Sequence, residues 1–419
     1  MTFCLADAES MRLLATRLDD AAREITRLQG GSVSVGLPIT APAELAHYEL
    51  PLRNLVEWCH SSAADLRRRA AVAAQADLID HVPFHEALKT AAAGGVDAEL
   101  TAFDALGADG DVAGFFAGLA PGRGLAVALA RAAEVGGRAG VPLELRFAAN
   151  QQLVRLARAE AIRSGDQAAA DRYAELLNPE RQLLYFDARG TGLIAEALGD
   201  LTAAKSVAIM VPGTGNSLAN YHAGPEGDFR RFHKAVSRLS GTPTATIMWI
   251  GSELPPNLGV AMLTSYAERA APKLREFAEG LDLGPDVRTT LIGHSYGSVV
   301  TGHAVRAGLH PDNLVAVASP GWGVDDATEL DAPETHLWAM RHDGDVIKLL
   351  APVDGLIPPI PVAGHGNDPI YLQGVRRLPS GGESMLGVDK HAHSDYFGNS
   401  ATSQTATTNI ARVVAGQVG

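Results

Sequence analysis

The chain has 419 residues, a formal net charge of −13 and a hydrophobic fraction of 46%. This length and apolar content can support a substantial core, in two or three domains rather than one. The acidic balance argues against a nucleic-acid-binding or basic membrane-binding surface. Cys4 and Cys59 are the only cysteines, which excludes a disulfide framework and a cysteine-based metal site. We expect two unrelated thiols, with a single bridge as the alternative.

The start of the chain, "MTFCLADAES", has neither the basic nor the apolar region of a secretory signal peptide. No apolar run approaches the roughly 18 residues that a membrane span requires. We therefore expect a soluble protein, cytoplasmic by default. The alternative is export without a cleaved signal, by a type VII-like route.

Residues 1–178 are predicted to form an all-helical domain. Met11, Leu14, Leu18, Ala22 and Ile25 fall on one stripe at helical spacing. Asp7 is the expected N-cap of this first helix, and Gly30-Gly31 its end. A second helix is predicted from Leu55, and further Ala/Leu-rich helices follow, separated by glycine-rich breaks.

The pattern changes after residue 178, and residues 179–419 are predicted to be an α/β domain. Two short strands joined by a Gly-rich turn come first, in "RQLLYFDARGTGLIAEALGD". Apolar strands follow in "SVAIMVPGTG", "TATIMWIG", "RTTLIGHS", "NLVAVASPG" and "THLWAMRHDGD", with helices between them over 226–240, 258–281 and 298–308. Apolar strands that alternate with helices predict a mostly parallel sheet covered on both faces.

The sequence Gly293-His294-Ser295-Tyr296-Gly297 lies between a predicted strand and a predicted helix. G-x-S-x-G in that context is typical of the nucleophile elbow, where glycines are needed because side chains would collide with the backbone of a sharp turn. Ser295 is therefore the candidate nucleophile. The alternative is a small residue in a tight Gly/Ser-rich turn.

A nucleophile that attacks a carbonyl group also needs donors for the oxyanion that forms. The amide of Tyr296, directly after the nucleophile, is one candidate. The amide of Thr214, in the loop "VPGTGN" after an earlier strand, is the second. A phosphate-binding loop is the alternative for this segment, but it would require a lysine that "GTGNS" lacks.

The order of the remaining partners in this type of site is acid and then histidine. Asp345 is the preferred acid, Asp343 the second choice and Asp368 the third. His393, in "DKHAHSDYFGN", is the preferred base, and His391 is the neighbouring alternative. The other histidines considered for this role are His294, His303, His336, His342 and His365.

Taken together, "FDARGTGLIAEALGD", "VAIMVPGTGN", "IMWIGSELPP", "TLIGHSYGSVVTGHA", "VAVASPGWGV" and "HSDYF" resemble a known family. The segment from about residue 180 to residue 400 resembles an actinobacterial α/β-hydrolase family that is catalogued as a domain of unknown function. This family is related to lipases and cutinases. The resemblance implies a serine hydrolase with Ser295 as nucleophile, an acid in "RHDGDVI" and His393 as base. The chain departs from the family pattern at Ser252, where an aromatic residue is usual.

The helices around Trp58 resemble the WXG-type hairpins exported by type VII secretion, but the W-x-G turn and a Y-x-x-x-D/E signal are absent. A helical domain that packs on the hydrolase domain and shapes its entrance is the preferred interpretation.

The predicted function is cleavage of a small-molecule or lipid carboxylic ester, with no cofactor and no metal. Trp249, Trp322 and the Pro-rich stretch 346–364 are candidates for lining an acyl pocket, with a loop that covers the edge of the core as the alternative for that stretch. The competing hypotheses are an acyltransferase that uses the same residues and an inactive binding or secretion-associated module. The oligomeric state stays open.

Overall fold

The structure is a computed structural model that describes residues 8–30, 55–64, 95–107, 110–178, 180–349, 364–382 and 391–418, together with 67, 87 and 90. By their contacts, the residues form two compact units, Met1–Lys89 and Thr90–Gly419. No described helix is both long enough and apolar enough to span a membrane.

The first unit contains helix α1 (Ala8–Gly30) and a helical segment, α2, over residues 55–64. Both lie where the sequence predicts helices, although the expected N-cap Asp7 is outside the described residues. Trp58 is 57% exposed, whereas Cys59 is a buried free thiol. Its possible partner Cys4 is also outside the described residues.

The second unit begins with helices that precede the sheet. They are α3 (Asp97–Ala105), α4 (Val112–Ala117), α5 (Pro121–Ala130), α6 (Ala132–Val135), α7 (Leu143–Ser164) and α8 (Gln167–Leu176). Their ends follow from local chemistry. Asp111 and Asp166 cap α4 and α8 by accepting a main-chain N–H three residues later, and Gly165 ends α7 in a left-handed conformation.

The sheet has eight strands in the order β1-β2-β4-β3-β5-β6-β7-β8. The bounds are β1 (Gln182–Asp187), β2 (Leu193–Leu198), β3 (Ser206–Val211), β4 (Thr244–Ile250), β5 (Arg288–His294), β6 (Asn313–Val317), β7 (His336–Met340) and β8 (Arg376–Arg377). Strand β2 runs antiparallel to β1 and β4, and every other pairing is parallel. The predicted mostly parallel sheet is confirmed.

Helices cover both faces of the sheet, which explains why β3, β4 and β6 are buried along their whole length. Helix α9 (Pro225–Leu239) packs with the last helix, α13 (Ala401–Val414). Helix α11 (Ser265–Glu279) packs with α12 (Tyr296–Arg306), which directly follows β5.

The helix predicted over 258–281 is two helices, because the short α10 (Leu258–Ala261) ends before α11 begins at Ser265. The carbonyl of Leu263, in the break, accepts a hydrogen bond from Tyr296 Oη at 2.6 Å. In a continuous helix, the Leu263 carbonyl would accept a hydrogen bond from within the helix. The break leaves it available to Tyr296, the residue that follows Ser295.

Helix α7 packs against the edge strand β1 through two buried polar side chains. Strand β1 has an irregularity between Leu183 and Tyr185. Arg146 Nε donates to the Leu184 carbonyl at 2.8 Å, and Asn150 Nδ2 donates to the Leu183 carbonyl at 2.9 Å. Burial lowers the pKa of Arg146 to about 10. The helix therefore supplies donors where the ladder is irregular and covers an edge that would otherwise be open.

This packing bears on where the helical region ends. The sequence places a boundary at residue 178, whereas the compact units separate between Lys89 and Thr90. Helices α3 to α8 share a unit with the sheet because α7 buries its side chains on β1. Helical periodicity marks the change of secondary structure, and it does not show which helices pack on the strands.

Candidate active site

Ser295 lies at the junction of β5 and α12 in a strained backbone conformation, with φ 52° and ψ −127°. Such a conformation costs about 1–3 kcal/mol in a residue with a side chain and persists only where the surroundings enforce it. Here Ser295 N donates to the Val317 carbonyl at 2.9 Å, and Ser298 donates to the Ser295 carbonyl through N at 2.9 Å and through Oγ at 2.6 Å. Both the main-chain N–H and the main-chain carbonyl of Ser295 are therefore held by hydrogen bonds.

The two glycines of the elbow have the role that the motif predicts. A Cβ atom on Gly293 would lie 2.4 Å from Ser298 Cα, and one on Gly297 would lie 2.1 Å from the carbonyl oxygen of Val211. Both distances are far inside van der Waals contact. Only glycine therefore allows the turn to close against the helix and against the end of β3.

Ser295, His393 and Asp345 form a chain of hydrogen bonds. Ser295 Oγ lies 2.9 Å from His393 Nε2, and His393 Nδ1 lies 2.8 Å from Asp345 Oδ1. Asp345 is fully buried, while Ser295 is 5% exposed. Three residues that the sequence separates by up to 98 positions thus meet beyond the carboxyl ends of β5 and β7.

The second oxygen of Asp345 also has a specific donor. Tyr396 Oη donates to Asp345 Oδ2 at 2.7 Å, and Ile347 N donates to Oδ1 at 2.9 Å. Burial alone would raise the pKa of Asp345. The hydrogen bond and charge of His393, together with the other two donors, lower it below its ordinary value. The acid is therefore ionised at neutral pH although it is excluded from water.

Two further histidines hold the segment that carries His393. His294 Nε2 donates to the His393 carbonyl at 3.0 Å, and His342 Nε2 donates to the Asp395 carbonyl at 3.0 Å. The ring of His342 also stacks on that of Tyr396, with centroids 4.1 Å apart. Both histidines were sequence candidates for the base, and both instead bind the main chain of the loop that carries His393.

The loop after β3 passes directly over the serine. A Cβ atom on Gly213 would lie 2.7 Å from Ser295 Cβ and 3.2 Å from Ser295 Oγ. Thr214 follows this point of closest approach, and Gly215 N donates to the Pro255 carbonyl at 2.8 Å. Tyr296 occupies the first position of α12, where its amide has no partner within the helix. The structure thus brings both predicted donor segments to Ser295.

The alternative acids lie elsewhere. Asp343 is exposed, and its main-chain N donates to the Gly382 carbonyl at 3.1 Å. Asp368 is buried and forms an ion pair with Arg341. Neither carboxylate is bonded to a histidine.

The other histidine candidates are not bonded to Ser295. His391 is exposed, two residues before His393, and His336 is exposed at the start of β7. His303 lies on α12, and His365 packs against the ring of Tyr296 with centroids 5.7 Å apart.

The tryptophans proposed to line an acyl pocket are core residues. Trp249 is 1% exposed and packs against Phe277, with ring centroids 6.4 Å apart. Trp322 is fully buried against Gly302, where a Cβ atom would lie 2.2 Å from the Trp322 carbonyl oxygen. Ser252 is buried. Most of the Pro-rich stretch, residues 350–363, lies outside the described residues.

Among the described residues, no group of three or more His, Cys, Asp or Glu side chains is arranged to hold a metal ion. A cavity of about 300 Å³ lies beside Asp343, lined by Arg341, Tyr371 and Arg377 among others. It does not include any residue of the Ser295–His393–Asp345 chain.

Residues 187–355 match a family model described as "Alpha/beta hydrolase". The chain has the α/β-hydrolase fold. The matched range contains the elbow and Asp345, and the family resemblance inferred from the sequence motifs is confirmed by it. The sheet of this fold is preceded in the same chain by the helices described above.

Similar curated proteins come from mycobacteria. An uncharacterized protein of Mycobacterium tuberculosis is 27% identical over 251 residues, which cover 53% of this chain and 37% of the relative. An uncharacterized protein of Mycobacterium bovis is 31% identical over 159 residues, which cover 35% of this chain and 59% of the relative. The chain thus matches less than two thirds of the length of either relative.

Among the solved structures that the chain is similar to is a serine hydrolase without a lid from Xanthomonas campestris. That match has 16% identity and a TM-score of 0.34, and it covers 56% of this chain and 94% of the other. An esterase from Pyrobaculum calidifontis matches with 11% identity and a TM-score of 0.32, covering 64% of this chain and 97% of the other. Similarity at this level does not specify a substrate.

From the sequence, the aromatic residues that follow His393 in "HSDYF" were expected to anchor this loop and hold the imidazole in place, and a contact between Tyr396 and Asp345 was not predicted. The only signal was its position in "HSDYF", three residues after His393. Its hydrogen bond to Asp345 spans 51 positions of the chain, and no local pattern predicts such a contact.

Proposed function

We propose that this protein is a serine hydrolase that cleaves carboxylic esters through Ser295, His393 and Asp345. The observation that carries the proposal is the continuous chain of hydrogen bonds from Ser295 Oγ through the imidazole to a buried carboxylate. That constellation, at a strained strand-to-helix turn, is the arrangement that activates a serine hydroxyl.

The tautomer of His393 follows from its two partners. Because Asp345 is ionised and can only accept, Nδ1 carries the proton and Nε2 is left as the acceptor for Ser295 Oγ–H. Attack of Ser295 Oγ on an ester carbonyl transfers the hydroxyl proton to Nε2. Asp345 then stabilises the imidazolium that forms. The same proton is passed to the departing alkoxide, which leaves as an alcohol.

The oxyanion of the tetrahedral intermediate would be bound by the main-chain amides of Thr214 and Tyr296. Support comes from the contact between Gly213 and Ser295 and from the position of Tyr296 at the N-terminus of α12. Loss of one such donor typically lowers the rate by about 10²–10³-fold. Water then attacks the acyl-enzyme with His393 as base, which releases the carboxylic acid and restores Ser295.

The test uses purified full-length protein, p-nitrophenyl esters from acetate to laurate and a fluorophosphonate probe. The wild type should hydrolyse at least one ester and be labelled on Ser295. Ser295→Ala should lose both properties and keep its unfolding transition. Ser237→Ala, which removes an exposed hydroxyl on α9, is the matched control and should keep both. A wild type that neither turns over any ester nor reacts with the probe would overturn the proposal.

A further inference from the structure

We propose that Tyr396 is a positioning residue that fixes Asp345 and sets the pH at which the His393 base becomes available. The inference rests on the proposed function, and it concerns a residue to which the motifs assign no chemistry. Tyr396 and His393 belong to one short segment, yet they bind the two different oxygens of the same carboxylate, at 2.7 and 2.8 Å. Each oxygen of the carboxylate therefore has its own side-chain donor.

The direction of the Tyr396 hydrogen bond is determined by its neighbours. The phenol oxygen accepts the main-chain N–H of His342 at 2.8 Å, and its single proton is donated to Asp345 Oδ2. Tyr396 is fully buried, and burial together with the charge of Asp345 raises its pKa. The phenol therefore stays protonated and remains a donor throughout the pH range in which the enzyme would work.

The rest of the Tyr396 side chain and backbone is also restrained. Its ring stacks on His342 at an interplanar angle of 15°, and its carbonyl accepts Thr407 Oγ1 of α13 at 2.8 Å. Rotation of the ring would break the stack, the bond from His342 and the bond to Asp345 together. The donor is thus preorganised, which is the requirement for a residue that orients a reacting group.

Other titratable groups lie on the elements around the Asp345–His393 pair. His294 lies on the elbow, with its ring 5.5 Å from that of His393. Arg341 and His342 follow β7, and Asp395 belongs to the same loop as Tyr396. Asp228 of α9, paired with Arg231, interacts electrostatically with Asp395. None of these groups donates a hydrogen bond to the Asp345 carboxylate; among the described side chains, its donors are Tyr396 and His393.

Removing the phenol hydroxyl has a defined electrostatic consequence. In Tyr396→Phe, Asp345 keeps its charge but loses one donor, so more of that charge acts on His393 and stabilises the protonated imidazole. The acid limb of the kcat/KM profile should therefore move to higher pH, by about 0.5 to 1 unit. The value of kcat on the plateau should fall several-fold because the carboxylate is held by one side chain instead of two.

The matched control is Tyr221→Phe. Tyr221 is also fully buried and also donates to a buried carboxylate, Glu196 Oε2, at 2.7 Å. Both substitutions should lower the free energy of unfolding by a similar amount, and only Tyr396→Phe should move the acid limb. If Tyr396→Phe does not fold, a difluorotyrosine at position 396 keeps the ring and strengthens the donor, and the limb should then move to lower pH.

A second readout does not depend on turnover. The proton that His393 Nδ1 shares with Asp345 should give a low-field NMR resonance that His393→Asn removes. Its pH midpoint should shift in Tyr396→Phe. If the wild type has no activity but the resonance still shifts in Tyr396→Phe, the role of Tyr396 is retained and the proposed function is rejected. An active enzyme in which neither the limb nor the resonance moves would reject the role of Tyr396.

Discussion

His294, which directly precedes Ser295, donates its Nε2–H to the main-chain carbonyl of His393 at 3.0 Å. The turn that presents Ser295, the proposed nucleophile, therefore also holds the loop that presents His393, the proposed base. Burial and the neighbouring His393 lower the pKa of His294 to about 4. His294 is thus a neutral donor at neutral pH, and it adds no positive charge beside the base.

This contact predicts a loss of activity in His294→Phe, which keeps an aromatic ring and removes the donor. The loop carrying His393 would be free to shift, and small displacements of a reacting group are costly, so kcat should fall by about 10- to 100-fold. Steady-state kinetics should show the loss in kcat with little change in KM. His336→Phe, at an exposed histidine, is the control. Wild-type kcat in His294→Phe would show that the elbow does not position the loop.

Gly213→Ala tests the approach of the β3–α9 loop to the nucleophile. The added Cβ would lie 2.7 Å from Ser295 Cβ, so the loop or the serine must shift and the oxyanion donors would be displaced. We expect kcat to fall by about 10²-fold or more, a loss similar to that of one donor. Gly224→Ala, in the same connection but with no heavy atom within 4 Å of the added Cβ, should be nearly unaffected. Equal rates in the two variants would contradict the predicted site.

Asn150→Ala tests the junction between α7 and the edge strand. Asn150 Nδ2 donates to the carbonyls of Gly136, Arg146 and Leu183, and the residue is fully buried. Its removal leaves buried acceptors unpaired, so the free energy of unfolding should fall by about 1–3 kcal/mol. Urea denaturation provides the measurement. Gln152→Ala, on the same helix and only partly buried, should change stability little, and a comparable loss there would refute the argument.

The stability of the protein should fall as the pH decreases from about 6.5 toward 4. Burial lowers the pKa of both His294 and His365 to about 4, while histidine in an unfolded chain has a pKa of about 6.5. The unfolded state therefore binds more protons in this window, and each histidine can cost roughly 3 kcal/mol by its acid end. Asp345 affects stability at lower pH than the histidines. Because its pKa in the folded state is lowered, the stability that its ionised form contributes is lost only as the pH falls through that pKa.

His365→Phe separates one of these contributions. Neither ring nitrogen of His365 has a hydrogen-bond partner, and its ring packs against Tyr296, so phenylalanine should fit without losing a bond. Between about pH 7 and pH 4, the urea midpoint of His365→Phe should fall less steeply than that of the wild type. The difference in slope should correspond to one proton fewer taken up on unfolding. An unchanged slope would show that His365 does not titrate as the fold implies. Exposed His336→Phe should leave the slope unaltered.

Much of the fold follows from local patterns in the sequence. Apolar runs between helical segments predicted the strands from β3 to β7, and the Gly-rich turn predicted the β1–β2 pair. Strand β8 was not predicted, because Arg376 and Arg377 show no strand pattern. These residues become a strand because they lie beside β7, where Trp338 pairs with Arg376. An edge strand of this kind is set by its neighbour and not by its own residues.

The sequence by itself determined the position of the sharp strand-to-helix turn that carries Ser295. Gly293 and Gly297 are required there by steric contacts, and such requirements are visible in the sequence as residue types at fixed spacing. It also ordered the candidate acids and histidines along the chain. Only the tertiary structure showed that Asp345 rather than Asp343 is hydrogen-bonded to His393, that His393 rather than His391 lies beside Ser295 Oγ, and that Tyr396 donates to Asp345. These contacts depend on side-chain direction at the ends of loops that converge from distant parts of the chain, and no short-range pattern encodes that direction.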